Sequence, residues 1–126
     1  MNNIESKVHF WKTEARQALI VADDLLKLKH YLEALFFGHL ALEKLLKAKI
    51  VKITKKDPIY SHDLIILAKY ARIKLTEEDI DFLARVNVYN IRARYQDYKR
   101  SLYKRANKQF TDKEFAKIKA FFSKIQ

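Results

Sequence analysis

Cysteine is absent from this chain, and glycine and proline occur once each. The first absence excludes disulfides, thiolate metal sites and a cysteine nucleophile. A single glycine leaves no room for a glycine-rich phosphate loop, and so few turn residues argue against a protein of strands joined by tight turns. A long uninterrupted apolar run is missing as well. The most hydrophobic region, Tyr31 to Ile53, is broken by Glu43, Lys44 and Lys47 and is too polar to cross a bilayer. The opening residues Met1-Asn2-Asn3-Ile4-Glu5 show no basic stretch ahead of an apolar one, so no secretory signal is expected. No His and Glu cluster has zinc-type spacing, so no metal and no cofactor is expected. These absences together predict a soluble protein of the cytoplasm with no membrane partner.

What is present is hydrophobic residues at 49% and charged residues at 33%, the profile of long helices. A chain of 126 residues suits one domain, here residues 1–126, and buries roughly two thirds of the surface that its unfolded form exposes. Its net charge of +11 is unevenly placed. Residues 1–84 hold 14 Lys and Arg against 12 Asp and Glu, a net of +2, whereas residues 85–126 hold 12 against 3, a net of +9. Such asymmetry favours a polyanionic partner met through phosphate contacts and counterion release.

Helical spacing runs through the chain. Val8, Trp11, Ala15, Ala18, Leu19, Ala22, Leu25 and Leu26 predict one amphipathic helix from Ser6 to about Lys29. A second begins near Tyr31 and continues to Ile53, apolar around most of its girth, so that it is either central to the core or shared with a second copy of the chain. Pro58 breaks the pattern within residues 54–60, and Ser61 is the expected N-cap of a third helix bearing Leu64, Leu67, Ala68 and Ala71. Thr76-Glu77-Glu78-Asp79 opens a fourth, with apolar positions at Ile80, Leu83, Ala84, Val88 and Ile91. Thr111-Asp112-Lys113-Glu114 reads as a capping box, with Phe110 stapled to Phe115, ahead of Ile118, Phe122 and Ile125. The predicted fold is all-α, an up-and-down antiparallel bundle of four to five helices.

Residues able to carry chemistry are few. His39 and Glu43 stand one turn apart, as do Glu43 and Lys47, which permits a His–carboxylate pair able to orient a proton shuttle or merely to satisfy itself at a helix interface. His62 lies at the entrance of the third helix, where free backbone N–H groups and an imidazole could hold an anion. The richest segment is Asn90 to Arg100. Arg92, Arg94 and Arg100 offer planar forks for phosphate, Tyr95 and Tyr98 offer ring faces, and Asn90 and Asp97 offer groups for base edges or ribose. Arg94 and Asp97, three residues apart, equally suit a plain helical ion pair.

Trp11 with Ala15, the pair Asp23 and Asp24, Tyr31-x-x-Ala34-x-Phe36, Glu43-Lys44-x-x-Lys47-Ala48, Pro58, His62-Asp63-Leu64 and Ala93-Arg94-Tyr95-x-Asp97 follow one another in an order that resembles the HEPN domain family over about residues 8–125. The resemblance implies a bundle of four or five helices that commonly forms a homodimer, an association with nucleotide or RNA, and frequent pairing with a minimal nucleotidyltransferase as toxin and antidote. Ribonuclease branches of that family carry an Arg followed after four to six residues by a His. Here Arg92 matches the Arg, but Asp97 stands where the His is expected, and no His follows His62. An aspartate beside Arg92 and Arg94 is expected to stay ionised, leaving a base but no acid for cleavage of RNA.

The leading expectation is therefore a nucleotide- or RNA-binding dimer with little or no enzymatic activity, acting with a nucleotidyltransferase. An RNA endonuclease toxin using Arg92 and Asp97 is the alternative, and a pure protein–protein interaction module is a third. Tyr98 would be a target for nucleotidylation by the partner in any of these. His39, Glu43 and His62 are accessory candidates.

Overall fold

In the computed structural model the described residues are 2–94 and 104–126, and side chains are described outside 91–103. The described residues form five helices and no strand, an all-α bundle: α1 (Asn3–Lys27), α2 (Tyr31–Thr54), α3 (Leu64–Tyr70), α4 (Glu77–Arg94) and α5 (Lys108–Ile125).

Helix α1 starts three residues before the expected Ser6, because the Asn2 side chain accepts the Glu5 backbone N–H at 2.7 Å and serves as the N-cap. Its apolar stripe buries Ala15, Ala18 and Ala22, and these small side chains let α1 lie close along α2. Helix α2 is the axis of the fold, touching all four other helices. The girth that suggested sharing with a second copy is buried within the chain itself: Leu32, Leu35, Ala41, Leu42, Leu45, Leu46, Ile50 and Val51 are all core residues. Gly38, the one glycine, sits where α5 presses against α2; a Cβ there would stand 2.9 Å from Cδ1 of Ile118. Close helix approach thus explains a residue whose helix propensity is unfavourable by about 1 kcal/mol relative to alanine.

With so little glycine, the helices end on cations. Lys29, Lys55 and Arg72 occupy the left-handed region, with φ of 65°, 60° and 56°, at the ends of α1, α2 and α3. The following or same residues close the last turns, as when the His30 N–H reaches the Leu25 carbonyl and the Ile73 N–H reaches that of Ala68. A positive side chain there also meets the negative end of the helix dipole.

Three helix starts and faces differ from expectation. Asp63, not Ser61, caps α3: its carboxylate accepts the N–H groups of Ile65 and Ile66, while Ser61 Oγ accepts that of Asp63 one step earlier. An ionised acceptor binds two donors better than a hydroxyl. Helix α5 begins at Lys108 under an Asn107 cap that accepts the Phe110 N–H, so the expected capping box at Thr111 lies inside the helix. Glu114 is consequently released for Arg85 and Tyr89, and Phe110 packs edge-on against Tyr89. In α4 the buried face is Phe82, Leu83, Val86, Tyr89 and Asn90, whereas Ile80 and Ala84 are exposed. The capping box at its start does form, Thr76 Oγ1 accepting the Asp79 N–H and Asp79 accepting that of Thr76. Those bonds and Lys124 hold the Asp79 carboxyl below its ordinary range. The face of α5 lies where expected, with Phe115, Ile118, Phe122 and Ile125 buried.

Candidate functional site: a buried histidine and carboxylate network

His39, Glu43 and Lys47 follow one another at four-residue spacing on α2, so they form a single polar stripe inside an otherwise apolar helix. All three are buried. Lys47 Nζ donates to Glu43 Oε2 at 3.1 Å and lies 5.4 Å from the centre of the Trp11 ring, which roofs the pair from α1. The other carboxylate oxygen, Oε1, accepts from Nδ1 of His62 at 2.9 Å. Glu43 thus bonds a cation on its own helix and an imidazole from the connection before α3.

His39 is the deepest member, fully enclosed. Its Nε2–H donates to the His62 carbonyl at 2.9 Å, and its Nδ1 accepts the Asn90 amide at 3.1 Å. Those partners fix the neutral Nε2–H tautomer. Burial lowers the His39 pKa, which the nearby Glu43 charge, 3.9 Å from Nδ1, only partly opposes. The pair at His39 and Glu43 is therefore real as a neighbourhood, but Glu43 spends its hydrogen bonds on His62 and Lys47.

The connection before α3 is bound a second time to α4. Asn87 Oδ1 accepts the Leu64 N–H at 3.0 Å, and its amide donates to Asp63 Oδ1 at 2.9 Å. The backbone N–H groups expected to hold an anion beside His62 are thus taken by Asp63 and Asn87. His62 instead points its Nδ1 inward to Glu43, leaving a side chain 37% exposed. With Nδ1–H committed to the carboxylate, Nε2 carries the lone pair of the neutral ring. Tyr60 meets that ring edge-on at 5.5 Å.

Asn90 is buried and gives its amide to His39, so its work is inside the bundle. Arg92 and Arg94 belong to the last turn of α4 by backbone, but their side chains lie outside the described residues, as do Tyr95, Asp97, Tyr98 and Arg100 entirely. Asp63, Asn87 and Trp11 join the network without having been singled out for it; for Asp63 the signal was its place beside His62, and for Asn87 there was none short of the fold. Among the described residues no group of His, Asp and Glu is arranged to hold a metal ion.

A second cluster ties α4 to α5. Glu114 is gripped by Arg85 through Nε at 3.3 Å and Nη2 at 3.1 Å, and it accepts the Tyr89 hydroxyl. Burial, then the Glu114 carboxylate, raises the Tyr89 pKa, so the phenol stays a donor. Four cations of the basic last third are spent in ion pairs: Arg85 on Glu114, Lys108 on Asp112, Lys119 on Asp23 and Lys124 on Asp79. Lys104, Arg105, Lys113 and Lys117 have no acidic partner among the described residues, although Arg105 lies over the Phe110 ring.

A helical bundle wrapped around one polar central helix, with a His-Asp-Leu connection locked onto it by a carboxylate, defines the class. The chain belongs to the HEPN domain family, which matches residues 8–124. No curated protein and no solved structure matches it. Among the described residues no helix is long and apolar enough to cross a membrane.

Proposed function

We infer that this chain is a single-domain, cytoplasmic HEPN module that binds nucleotide or RNA phosphate, pairs with itself, and works beside a minimal nucleotidyltransferase as one half of a toxin and antidote system. Family membership over residues 8–124 suggests the nucleotide or RNA connection, and the net +9 of residues 85–126 is the observation that carries it to this chain. Arg92, Arg94 and Arg100 are the phosphate ligands in this reading, with Tyr95 and Tyr98 as stacking faces and Asp97 for ribose or base. The network of His39, Glu43, His62 and Asn90 has the supporting part of fixing the α3 entrance against α4, the helix that leads into that segment.

The test is fluorescence anisotropy of labelled single-stranded RNA and of a nucleoside triphosphate across a salt series. Affinity should fall steeply between about 50 and 200 mM salt, and Arg92→Ala with Arg94→Ala should lower both affinity and slope. Salt-independent affinity would sink the phosphate account.

One observation favours the endonuclease as second reading. His62, oriented by buried Glu43, supplies an imidazole on a connection that Asn87 and Asp63 tie to α4, although none follows Arg92 in the sequence. A general base of that kind needs reach to a substrate hydroxyl, which an RNA cleavage assay on His62→Ala reads directly.

A further inference from the structure

The +2 balance of the first two thirds conceals a local excess. Between Lys52 and Lys74 stand Lys52, Lys55, Lys56, Lys69, Arg72 and Lys74 against Asp57 and Asp63 only. All six cations are exposed and none forms an ion pair with a described residue. Both acids are already engaged, Asp57 by Lys7 at 2.8 Å and Asp63 by the α3 N–H groups and Asn87. The same stretch carries two of the large side chains that the fold leaves in water: Tyr60 is 91% exposed and Tyr70 51%.

These features share one place. A surface recess of about 440 Å³ lies between the end of α2, the Pro58 connection and the end of α3. Ile50, Ile59 and Tyr70 give it apolar walls, and Lys56 and Arg72 stand at its edge. Ile59 is the residue before Tyr60, so the exposed ring adjoins the recess. The scaffold under it is stiff. Pro58 restrains the connection, and Tyr60 leans on His62, whose ring is tied to Glu43 in the core. Two helix ends present their cations, Lys55 and Arg72, from left-handed backbone, a conformation unfavourable for a residue with a Cβ.

We propose that this end of the bundle is a contact surface for single-stranded nucleic acid, with Tyr60 and Tyr70 as base-stacking faces and Lys55, Lys56 and Arg72 as phosphate contacts. It rests on the reading that the chain binds RNA, and it adds a second surface made of residues outside the 90–100 segment. Exposed rings on a fixed backbone lose little entropy on binding, and every base offers a π face whatever the sequence. A duplex keeps those faces inside its stack, and an acidic peptide has no need of the rings. The larger recess between α4 and α5, about 450 Å³, lacks this character: Arg85 and Lys124 on its wall are paired with Glu114 and Asp79, and Glu78 and Asp81 also line it.

The experiment is anisotropy with a labelled oligouridylate on the order of 20 nucleotides, long enough to stack on several rings. Tyr60→Leu with Tyr70→Leu should weaken binding by about tenfold or more, and Tyr60→Phe with Tyr70→Phe should retain it. Tyr60→Leu alone, at a fully solvated site, keeps the test sound if the double variant folds poorly, and should itself weaken binding severalfold. Lys56→Gln with Arg72→Gln should reduce the salt slope by about one. If the leucine variants bind as wild type while Arg92→Ala with Arg94→Ala does not, the surface is refuted and the RNA reading stands. Equal competition by polyglutamate of matched charge would make it a charged face only and overturn the proposal. Wild type that fails to bind the oligonucleotide at low salt overturns both.

Discussion

Glu43 and His62, nineteen residues apart, meet at 2.9 Å through Oε1 and Nδ1, and this bond fastens the α3 entrance onto the centre of α2. The same carboxylate neutralises Lys47, which is 7% exposed. Removing Glu43 would leave a buried ammonium without its counter-ion, and breaking such a pair from one side costs about 3–5 kcal/mol. Glu43→Ala should therefore lower the stability read by chemical denaturation by that amount, whereas Glu43→Leu combined with Lys47→Met should restore most of it. Equal losses in the single and double variants would contradict the ion-pair account.

His39 makes stability depend on pH. Its folded-state pKa is lowered, chiefly by burial, from an ordinary 6.5. The unfolded chain therefore binds a proton that the folded chain resists. The contribution is fully present above about pH 6.5 and is lost as pH falls toward the depressed folded value. Denaturation midpoints should drop on acidification below that point, and His39→Gln should flatten the profile there while lowering stability at neutral pH. A profile unchanged by the substitution would remove His39 from the explanation.

Thr111 shows how a misplaced helix start leaves a trace. Its hydroxyl is buried with no hydrogen-bond partner, because the helix begins one turn earlier under Asn107. A buried unsatisfied hydroxyl costs about 1–3 kcal/mol. Thr111→Val, which keeps the shape and removes the polar atom, should raise stability by about 1 kcal/mol. Destabilisation of similar size would mean that the hydroxyl has a partner in solution.

The limits of legibility have the same origin. Apolar periodicity placed α1, α2 and the faces of α3 and α5, and Pro58 marked the break, because burial dictates those positions directly. Caps were harder, since Ser61 and Asp63, or Asn107 and Thr111, are rival acceptors that local sequence alone does not rank. Helix ends at Lys29, Lys55 and Arg72 gave no signal, the usual glycine being absent. In the site, the spacing of His39, Glu43 and Lys47 was visible, but the bond to His62 and the anchoring by Asn87 and Asn90 arise only from tertiary packing.

The proposed homodimer needs a different surface from the one its sequence suggested, because α2 is covered inside the chain. On α1, Phe10 at 53% exposure and Leu28 at 67% lie about five helical turns apart and so share a side. Light scattering at micromolar concentration should give about twice the 15.0 kDa chain mass, and Phe10→Glu with Leu28→Glu should reduce it to one. A strict monomer in the wild type would remove self-pairing from the proposed function.

Cleavage of RNA by the isolated chain is expected to be poor or absent. Transesterification through the 2′-hydroxyl gains from one group that accepts a proton and another that donates one, both titrating near neutrality. Asp97 stands in the sequence where a histidine would serve, and a positioned acid or base typically contributes on the order of 10² to 10⁴ in rate. His62 has its Nδ1 held by Glu43, which suits it as one of these groups and not as both. A fluorogenic RNA assay should therefore show at most a residual rate, lowered by Arg92→Ala through loss of charge stabilisation on the phosphate. Activity gained in Asp97→His would mean that the arrangement for cleavage persists and lacks only its proton donor. Robust wild-type cleavage abolished by both Arg92→Ala and His62→Ala would reverse the ranking, making the endonuclease the function and His62 the imidazole that the 90–100 segment lacks.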